Sequence, residues 1–521
     1  MSETTLSRSS PKTGTVLPRG RPFWIVDGRA YDFTEWMGRH PGGATWFQQT
    51  QGRDISALLH TYHREPTRLR KILAKYQIED FTEKDLLPQL GVPPFLLAPD
   101  FDARTDMPRL DYRDEQSLLA EIRRKVNARF SRKDLRRYDR AFDAVTWGIG
   151  IAHVATLALL IASVIPAWAF VLIMVVTRTA LAGAGHYQLH RKWKQQRQGR
   201  SFTLPMGKAL FDINYVGTSL IGTDGHVLLH HPYLGSGADV KKTFFDSMLR
   251  LHPALRIPGY TLHKLGICLT GLSLRAREIS KFEHPTEKTQ SGTPSRRDAS
   301  RADFWLIRAL IVAEFALCLG TGHILAWLVQ FFLTLWFNTF LVVASHDFEE
   351  ETTEEELAVI PEPLRNDWAA HQICLSYDLS VVGNRWIDLF LSAGLSPHRV
   401  HHVLPWQGSG FANLASEAAV RQVCAEAGIA WERPRNLIVE RFPAVIKHYL
   451  LRPAKAARPQ GEFQIPPPPP GQRPMQPPPD GAFPMPPSPP GSLPVPPARS
   501  VMGQITELFR YTLDGFKGVG V

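Results

Sequence analysis

Two stretches of this chain are too long and too apolar for the interior of a small water-soluble domain. Residues 144–183 read AVTWGIGIAHVATLALLIASVIPAWAFVLIMVVTRTALAG. One bilayer crossing takes about 20 apolar residues, so this stretch is two crossings turning at Pro166. A second stretch runs from about 304 to 345, broken by GTGH at 320–323. It makes a second hairpin, and four crossings in all. The expected fold class is therefore a mainly α integral membrane protein with two transmembrane hairpins.

Charge sets the orientation. RRKVNARFSRKDLRRYDR precedes the first hairpin, HRKWKQQRQGR follows it, and SLRAREISK and SRRDASR precede the second. The turns inside the hairpins carry almost no Lys or Arg. An excess of Lys and Arg marks cytoplasmic loops, which puts both termini and the loop of residues 185–303 on the cytosolic side. Arg178 is placed to reach towards that face, whereas Arg308 and Glu314 sit deeper and face the bundle interior. The four cysteines are scattered and never in CxxC spacing, which excludes a disulfide framework and suits a reducing compartment. Residues 1–14 lack an apolar core and are expected to be disordered. Residues 453–500 are so rich in proline that they cannot build a core and read as an extended tail. After them comes VMGQITELFRYTLDGF, a candidate amphipathic helix over 501–521.

Histidine carries the chemistry. HYQLH holds His186 and His190 just after the second crossing, and HVLLHH holds His226, His230 and His231. HRVHH holds His398, His401 and His402, and His346 stands alone in VASHDFEE at the end of the fourth crossing. Histidines three or four apart on a helix project from one face and can grip one cation. A single such pair arises by chance on many exposed helices, but three clusters in order, all assigned to one side of the membrane, do not. Three imidazoles are too few for the purpose; nine can bind two metal ions with about four ligands each. Imidazole suits zinc, copper, iron or nickel. A closed structural zinc site commonly includes thiolates, which are missing here, so the all-histidine set favours a redox-active iron pair. His371, in NDWAAHQIC, is the rival to His346. His153 and His323 lie at the wrong depth and read as structural.

The order HxxxH, HxxxHH, lone His, HxxHH around two hairpins resembles the membrane fatty acid desaturase and hydroxylase superfamily over about residues 140–430. The resemblance implies a membrane domain over 141–452, with hairpins at about 144–183 and 304–345. It also implies a non-haem diiron centre held in a cytosolic histidine-lined cap by His186, His190, His226, His230, His231, His346, His398, His401 and His402. Such a centre activates dioxygen and abstracts hydrogen from a long acyl chain. Asn338 is out of register for the asparagine that often completes that shell. Two features depart from the best-known branches: the second motif has one residue more than HxxHH, and His398 stands where front-end desaturases commonly have glutamine.

Residues 15–90 supply an electron donor. FWIVDGRAYDFTEWMGRHPGGATWF followed by GRDISALLHTYHRE resembles cytochrome b5, a small α+β haem-binding domain. The HPGG motif makes His40 one axial ligand of a haem b, with Gly42 and Gly43 shaping the turn. The second is His60 or His63, and the spacing in fused desaturases, counted from Gly52, selects His63. Bis-histidine ligation leaves no open position on the iron, so such a haem carries electrons and does not bind dioxygen. Residues 91–140 are read as a linker and pre-membrane segment.

The leading expectation is thus dioxygen-dependent desaturation of a long acyl chain in a membrane, with the endoplasmic reticulum as the expected location. Electrons would come through the fused haem from an NAD(P)H-dependent flavoprotein reductase of the cytochrome b5 reductase type. The substrate is a lipid-linked acyl chain or an acyl-CoA. No GxGxxG motif follows a strand, so the chain is not expected to bind the nicotinamide itself. Two alternatives stand beside it: an acyl-chain or sphingolipid hydroxylase using the same metal site, and a membrane-tethered cytochrome b5-type carrier whose metal site is degenerate.

Overall fold

The computed structural model describes residues 22–41, 47, 50, 54–78, 110–111, 116–190, 210, 213–214, 226–227, 230–235, 239, 248–266, 309–346, 359–454 and 500–517. Residues 1–14, Gly42, Gly43, Gly52, Arg308 and nearly all of the proline-rich stretch lie outside the described residues.

The N-terminal domain opens with a two-stranded antiparallel hairpin, β1 (Trp24–Val26) and β2 (Arg29–Tyr31), in which Trp24 faces Tyr31. Asp27 and Gly28 form its turn at φ +51° and +73°, the left-handed values that a tight hairpin demands and that Asp-Gly adopts readily. Helices α1 (Thr34–Met37), α2 (Ser56–Tyr62) and α3 (Pro66–Tyr76) complete the domain around Trp24, Phe33, Phe47, Leu59, Leu69 and Leu73.

Helix α4 (Leu118–Arg129) follows, then α5 (Arg132–Ile161) and α6 (Ala167–His190). Ser131 starts α5 with a capping box: its hydroxyl accepts from the Asp134 N–H while the Asp134 carboxylate accepts from the Ser131 N–H. Pro166 separates α5 from α6, as its missing N–H and fixed φ require. Beyond α7 (Pro253–Gly266) come α8 (Ala309–Gly320) and α9 (Ile324–Ala344), split at Gly322, whose φ is +79°. Helices α10 (Trp368–Cys374), α11 (Arg385–Leu391), α12 (His398–Val403) and α13 (Gly410–Glu426) form the cap, and α14 (Val501–Lys517) ends the described chain.

Among the described residues, three helices are long and apolar enough to cross a membrane: α5, α6 and α9. Helix α8 is apolar but shorter within the described range. The exterior of the bundle is apolar, with Trp147, Ile151, Val154, Trp168, Leu325 and Leu333 turned outwards. In water that surface is an aggregation hazard; facing lipid tails it is the expected one. Polar groups lie inside instead. Glu314 pairs with Arg178 and with His153, whose Nε2 is 3.2 Å from its Oε1. Arg178 therefore does not reach out to the membrane surface: it is fully buried, because a carboxylate 136 residues away supplies its partner.

The second half of the expected linker is folded. Leu118, Leu119, Ile122 and Val126 of α4 are buried against α13 and α10 in the core of the cap. At the other end of the chain, α14 packs on α7. His263 Nδ1 donates to the Tyr511 carbonyl at 2.7 Å and the two rings stack at 4.4 Å. Tyr260 in turn reaches Thr339 of α9 at 3.1 Å.

Candidate metal centre

The histidine motifs ride on two kinds of backbone, α-helix and π-type turn. His186 and His190 occupy the last turn of α6, one above the other. His398, His401 and His402 make up half of α12. In HVLLHH the His231 N–H bonds to the His226 carbonyl at 3.1 Å, a five-residue reach that defines a π-type turn. That wider turn accounts for the extra residue in the motif. It lets His226 and His231 converge while His230 points to the other side.

All nine histidines meet in the interior, each buried. His186, His190, His226, His231 and His401 form one group, and His230, His346 and His402 a second, the candidate ligand atoms of each lying within 4.8 Å of one another. His398 adjoins the second, its Nε2 3.1 Å from that of His402. In the first group the Nε2 atoms of His186 and His226 are 2.6 Å apart, and those of His186 and His401, and of His226 and His231, 3.1 Å. Two nitrogens each about 2.1 Å from one ion, at right angles, stand roughly 3 Å apart, so these spacings fit ligands of a shared ion. The groups adjoin: the rings of His231 and His402 stack at 4.4 Å.

Other side chains aim the imidazoles. His230 Nδ1 is 2.9 Å from Asp239 Oδ1, His402 Nδ1 is 2.7 Å from Gln372 Oε1, and His346 Nδ1 is 3.1 Å from the Leu375 carbonyl. A ring that donates from Nδ1 keeps its Nε2 lone pair for a metal. Burial first, and the imidazoles of His190 and His401 next, hold His231 well below the ordinary histidine range; burial and then His231 and His398 do the same for His402. Burial thus favours the neutral form of both rings, the form that binds a cation.

The cap is held close to α6 by small residues. A Cβ at Gly183 would collide with the Ala393 backbone, and Gly394, at φ +91°, accepts from the Tyr187 hydroxyl at 2.9 Å. This contact leads directly into α12.

A cavity of about 370 Å³ opens between the N-terminal domain, which lines it with Phe33, Trp36, His40, Phe47, Leu59 and His63, and the rest of the chain. The rings of His40 and His63 face each other across it with centres 6.0 Å apart. Two imidazoles binding one iron from opposite sides have ring centres roughly 6 Å apart, given metal–nitrogen bonds of about 2 Å. His63 Nδ1 donates to the Leu59 carbonyl at 2.7 Å, leaving Nε2 for a metal. His60 turns elsewhere, its Nε2 2.9 Å from Asp27 Oδ2. The cavity continues past His63 to His190, Val227 and Trp406.

The model of the fatty acid desaturase family matches residues 119–434, well over half of the chain. The chain belongs to the fatty acid desaturase family. The model of the cytochrome b5-like haem/steroid binding domain matches residues 15–81 of this enzyme, so a haem-binding domain is fused ahead of the desaturase domain. Among its relatives, an acyl-lipid omega-13 desaturase of Chlamydomonas reinhardtii is 21% identical over 463 residues, covering 82% of this chain and 92% of that one. The Delta(5) fatty acid desaturase A of Dictyostelium discoideum is 39% identical over 56 residues, 11% of this chain and 12% of that one. A cytochrome b5-related protein of Drosophila virilis is 39% identical over 57 residues, 11% of this chain and 39% of that one. No solved structure matches significantly. The enzyme is thus a membrane oxidoreductase of the desaturase type with a lipid substrate.

Of the other histidines, His371 faces away from the centre, its Nε2 2.6 Å from the Arg365 carbonyl, and His153 serves the buried charge network. Asn338 donates to Thr179 Oγ1 at 3.1 Å and ties α9 to α6. Asp239 and Gln372 escaped the reading of the sequence. Gln372 adjoins the rival histidine His371, and Asp239 follows His230, the ring it orients, by nine residues, too far for a one-turn spacing to flag.

Proposed function

We propose that the nine histidines bind two non-haem irons, the first group holding one and His230, His346, His398 and His402 the other, and that His40 and His63 bind haem b. The observation that carries this reading is the meeting of nine imidazoles in two adjoining groups, with Nε2 atoms at the spacings that a shared ion imposes. The donor set fits: neutral nitrogen ligands, aimed by Asp239, Gln372 and the Leu375 carbonyl, in a water-excluding interior. When loaded, such a pair uses dioxygen, two electrons and two protons to remove two hydrogens from adjacent acyl carbons, releasing two waters, and the haem relays the electrons singly.

The chain's own residues do the rest. The buried histidines hold the metals at the cytosolic end of α6 and α9, where an acyl chain can rise from the bilayer. The apolar exterior seats the domain in the membrane through four crossings, with α8 as part of the third. A nicotinamide-dependent flavoprotein reductase supplies the electrons, and the endoplasmic reticulum is the membrane. The preferred substrate is an acyl chain on a complex lipid, since a relative aligned over most of both chains is named an acyl-lipid desaturase.

The test compares lipids from a host making this chain with those from a host making His401→Ala, by mass spectrometry. The expected result is a product two hydrogens lighter that the variant does not form. A product heavier by one oxygen overturns desaturation in favour of hydroxylation. Purified protein containing haem iron alone overturns the diiron assignment.

A further inference from the structure

A side chain of the N-terminal domain that lines the cavity also bonds to the metal centre. Tyr62 ends α2, beside His63 in the chain. Its ring lies parallel to that of His190, at 5° and 6.1 Å between centres, and its hydroxyl is 3.0 Å from His190 Nδ1. The His190 ring sits 4.5 Å from those of His231 and His401 and 4.8 Å from that of His226. With Nε2 turned to a metal, a neutral His190 carries its proton on Nδ1 and donates it to the Tyr62 oxygen. A haem-domain residue thereby does for His190 what Asp239 does for His230.

The contact is held by a built interface. Arg123 donates to the carbonyls of His60 and Thr61, and Arg64 to Asn127 Oδ1 and to the Phe130 carbonyl, the last at 2.7 Å. Arg132 pairs with Glu65, and the Arg64 guanidinium lies over Trp406. Every one of these contacts uses residues 60–65, the segment that also carries His63. Haem ligand and docking surface are thus one short piece of backbone.

We propose that Tyr62 is a positioning residue shared by the two redox sites, fixing the ring and tautomer of His190 and giving the shortest bonded route from His63 to His190. This rests on the assignment above of His63 to haem and His190 to iron. The route runs through the His63 backbone, the Tyr62 ring and one hydrogen bond. One electron leaves ferrous haem, which becomes ferric, and reduces one ferric iron to ferrous. Tyr62 is unchanged, and the flavoprotein reductase re-reduces the haem.

Tyr62→Phe keeps the ring and removes the hydroxyl. The full-length protein, loaded with haem and iron, is titrated with a ferrous chelator, and haem reoxidation is followed by its absorbance after reduction and mixing with dioxygen. The expected result is an unchanged haem spectrum, half of the non-haem iron lost at about tenfold less chelator, and reoxidation slowed by about tenfold. Tyr62→Gln offers His190 an acceptor oxygen again and is expected to restore iron retention. A phenylalanine variant that holds iron and reoxidises like the parent overturns the proposal, as does a glutamine variant that retains iron no better than phenylalanine. A parent protein without non-haem iron overturns the diiron assignment itself.

Discussion

Arg178 on α6 and Glu314 on α8 form an ion pair inside the helix bundle, both cut off from the surface, and His153 closes the other side of the carboxylate. Arg178 also donates to Gln330 Oε1 at 3.2 Å and to the Ile213 carbonyl at 2.9 Å. Removing one partner strands the other charge, which costs about 3–5 kcal/mol. Arg178→Met is therefore expected to lose that much stability in a denaturant titration in micelles, and Arg178→Met with Glu314→Leu to recover most of it. A single variant as stable as the parent would show that the pair does not hold the bundle.

Asp239 touches no candidate metal position, yet it orients His230, and its other oxygen accepts from the Gly235 N–H at 2.9 Å. Losing such a partner typically weakens metal binding 10- to 100-fold. Asp239→Ala is expected to bind haem normally and to retain less than the full non-haem iron after dialysis against a mild chelator. Two irons retained per haem would contradict this role.

His60 and His63 have different partners only three residues apart. His63→Ala and His40→Ala are expected to abolish the bis-histidine haem spectrum. His60→Ala should leave it intact, because His60 is engaged with Asp27 at a partly exposed position, where such a pair contributes up to about 1 kcal/mol. Absorbance spectra of the three purified variants decide it.

Burial of the histidines makes the stability of the metal-free protein depend on pH. His231 and His402 are held well below their ordinary value of 6.5, so the folded protein keeps them neutral while the unfolded chain protonates them. Stability is then lost as pH falls below about 6.5, at about 1.4 kcal/mol per pH unit for each ring, until the folded-state values are reached. Iron-stripped protein is expected to melt at falling temperature from pH 7 to pH 5. A flat profile would mean that these rings are reached by water.

The histidine motifs were legible because residues that converge on one point from one element must recur at that element's own spacing. HYQLH and HRVHH do so on α-helices. HVLLHH showed an extra residue but not its reason, since nothing in six letters distinguishes a π-type turn from an ordinary one. The apolar helices were legible from composition alone. Helix α4 was not, because its buried Leu118, Leu119, Ile122 and Val126 are interleaved with the basic residues that mark orientation. Arg178 was misplaced for a related reason: its distance from the helix end can be counted, but its partner Glu314 lies on a helix that only the tertiary fold brings near. Asp239, Gln372 and Tyr62 were missed in the same way. Their roles exist only across contacts between elements, and no local pattern encodes them.

The last described helix covers a surface made some 250 residues earlier, with Tyr511 seated against His263. Translation proceeds from the N-terminus, so the face of α7 around Gly259 and His263 stays uncovered while the residues in between are synthesised. It closes only once residue 511 has been made. A polypeptide cut short within the proline-rich stretch keeps all nine clustered histidines, with His40 and His63, and still leaves that face bare. Such a fragment offers chaperones and proteases a handle that the longer chain conceals.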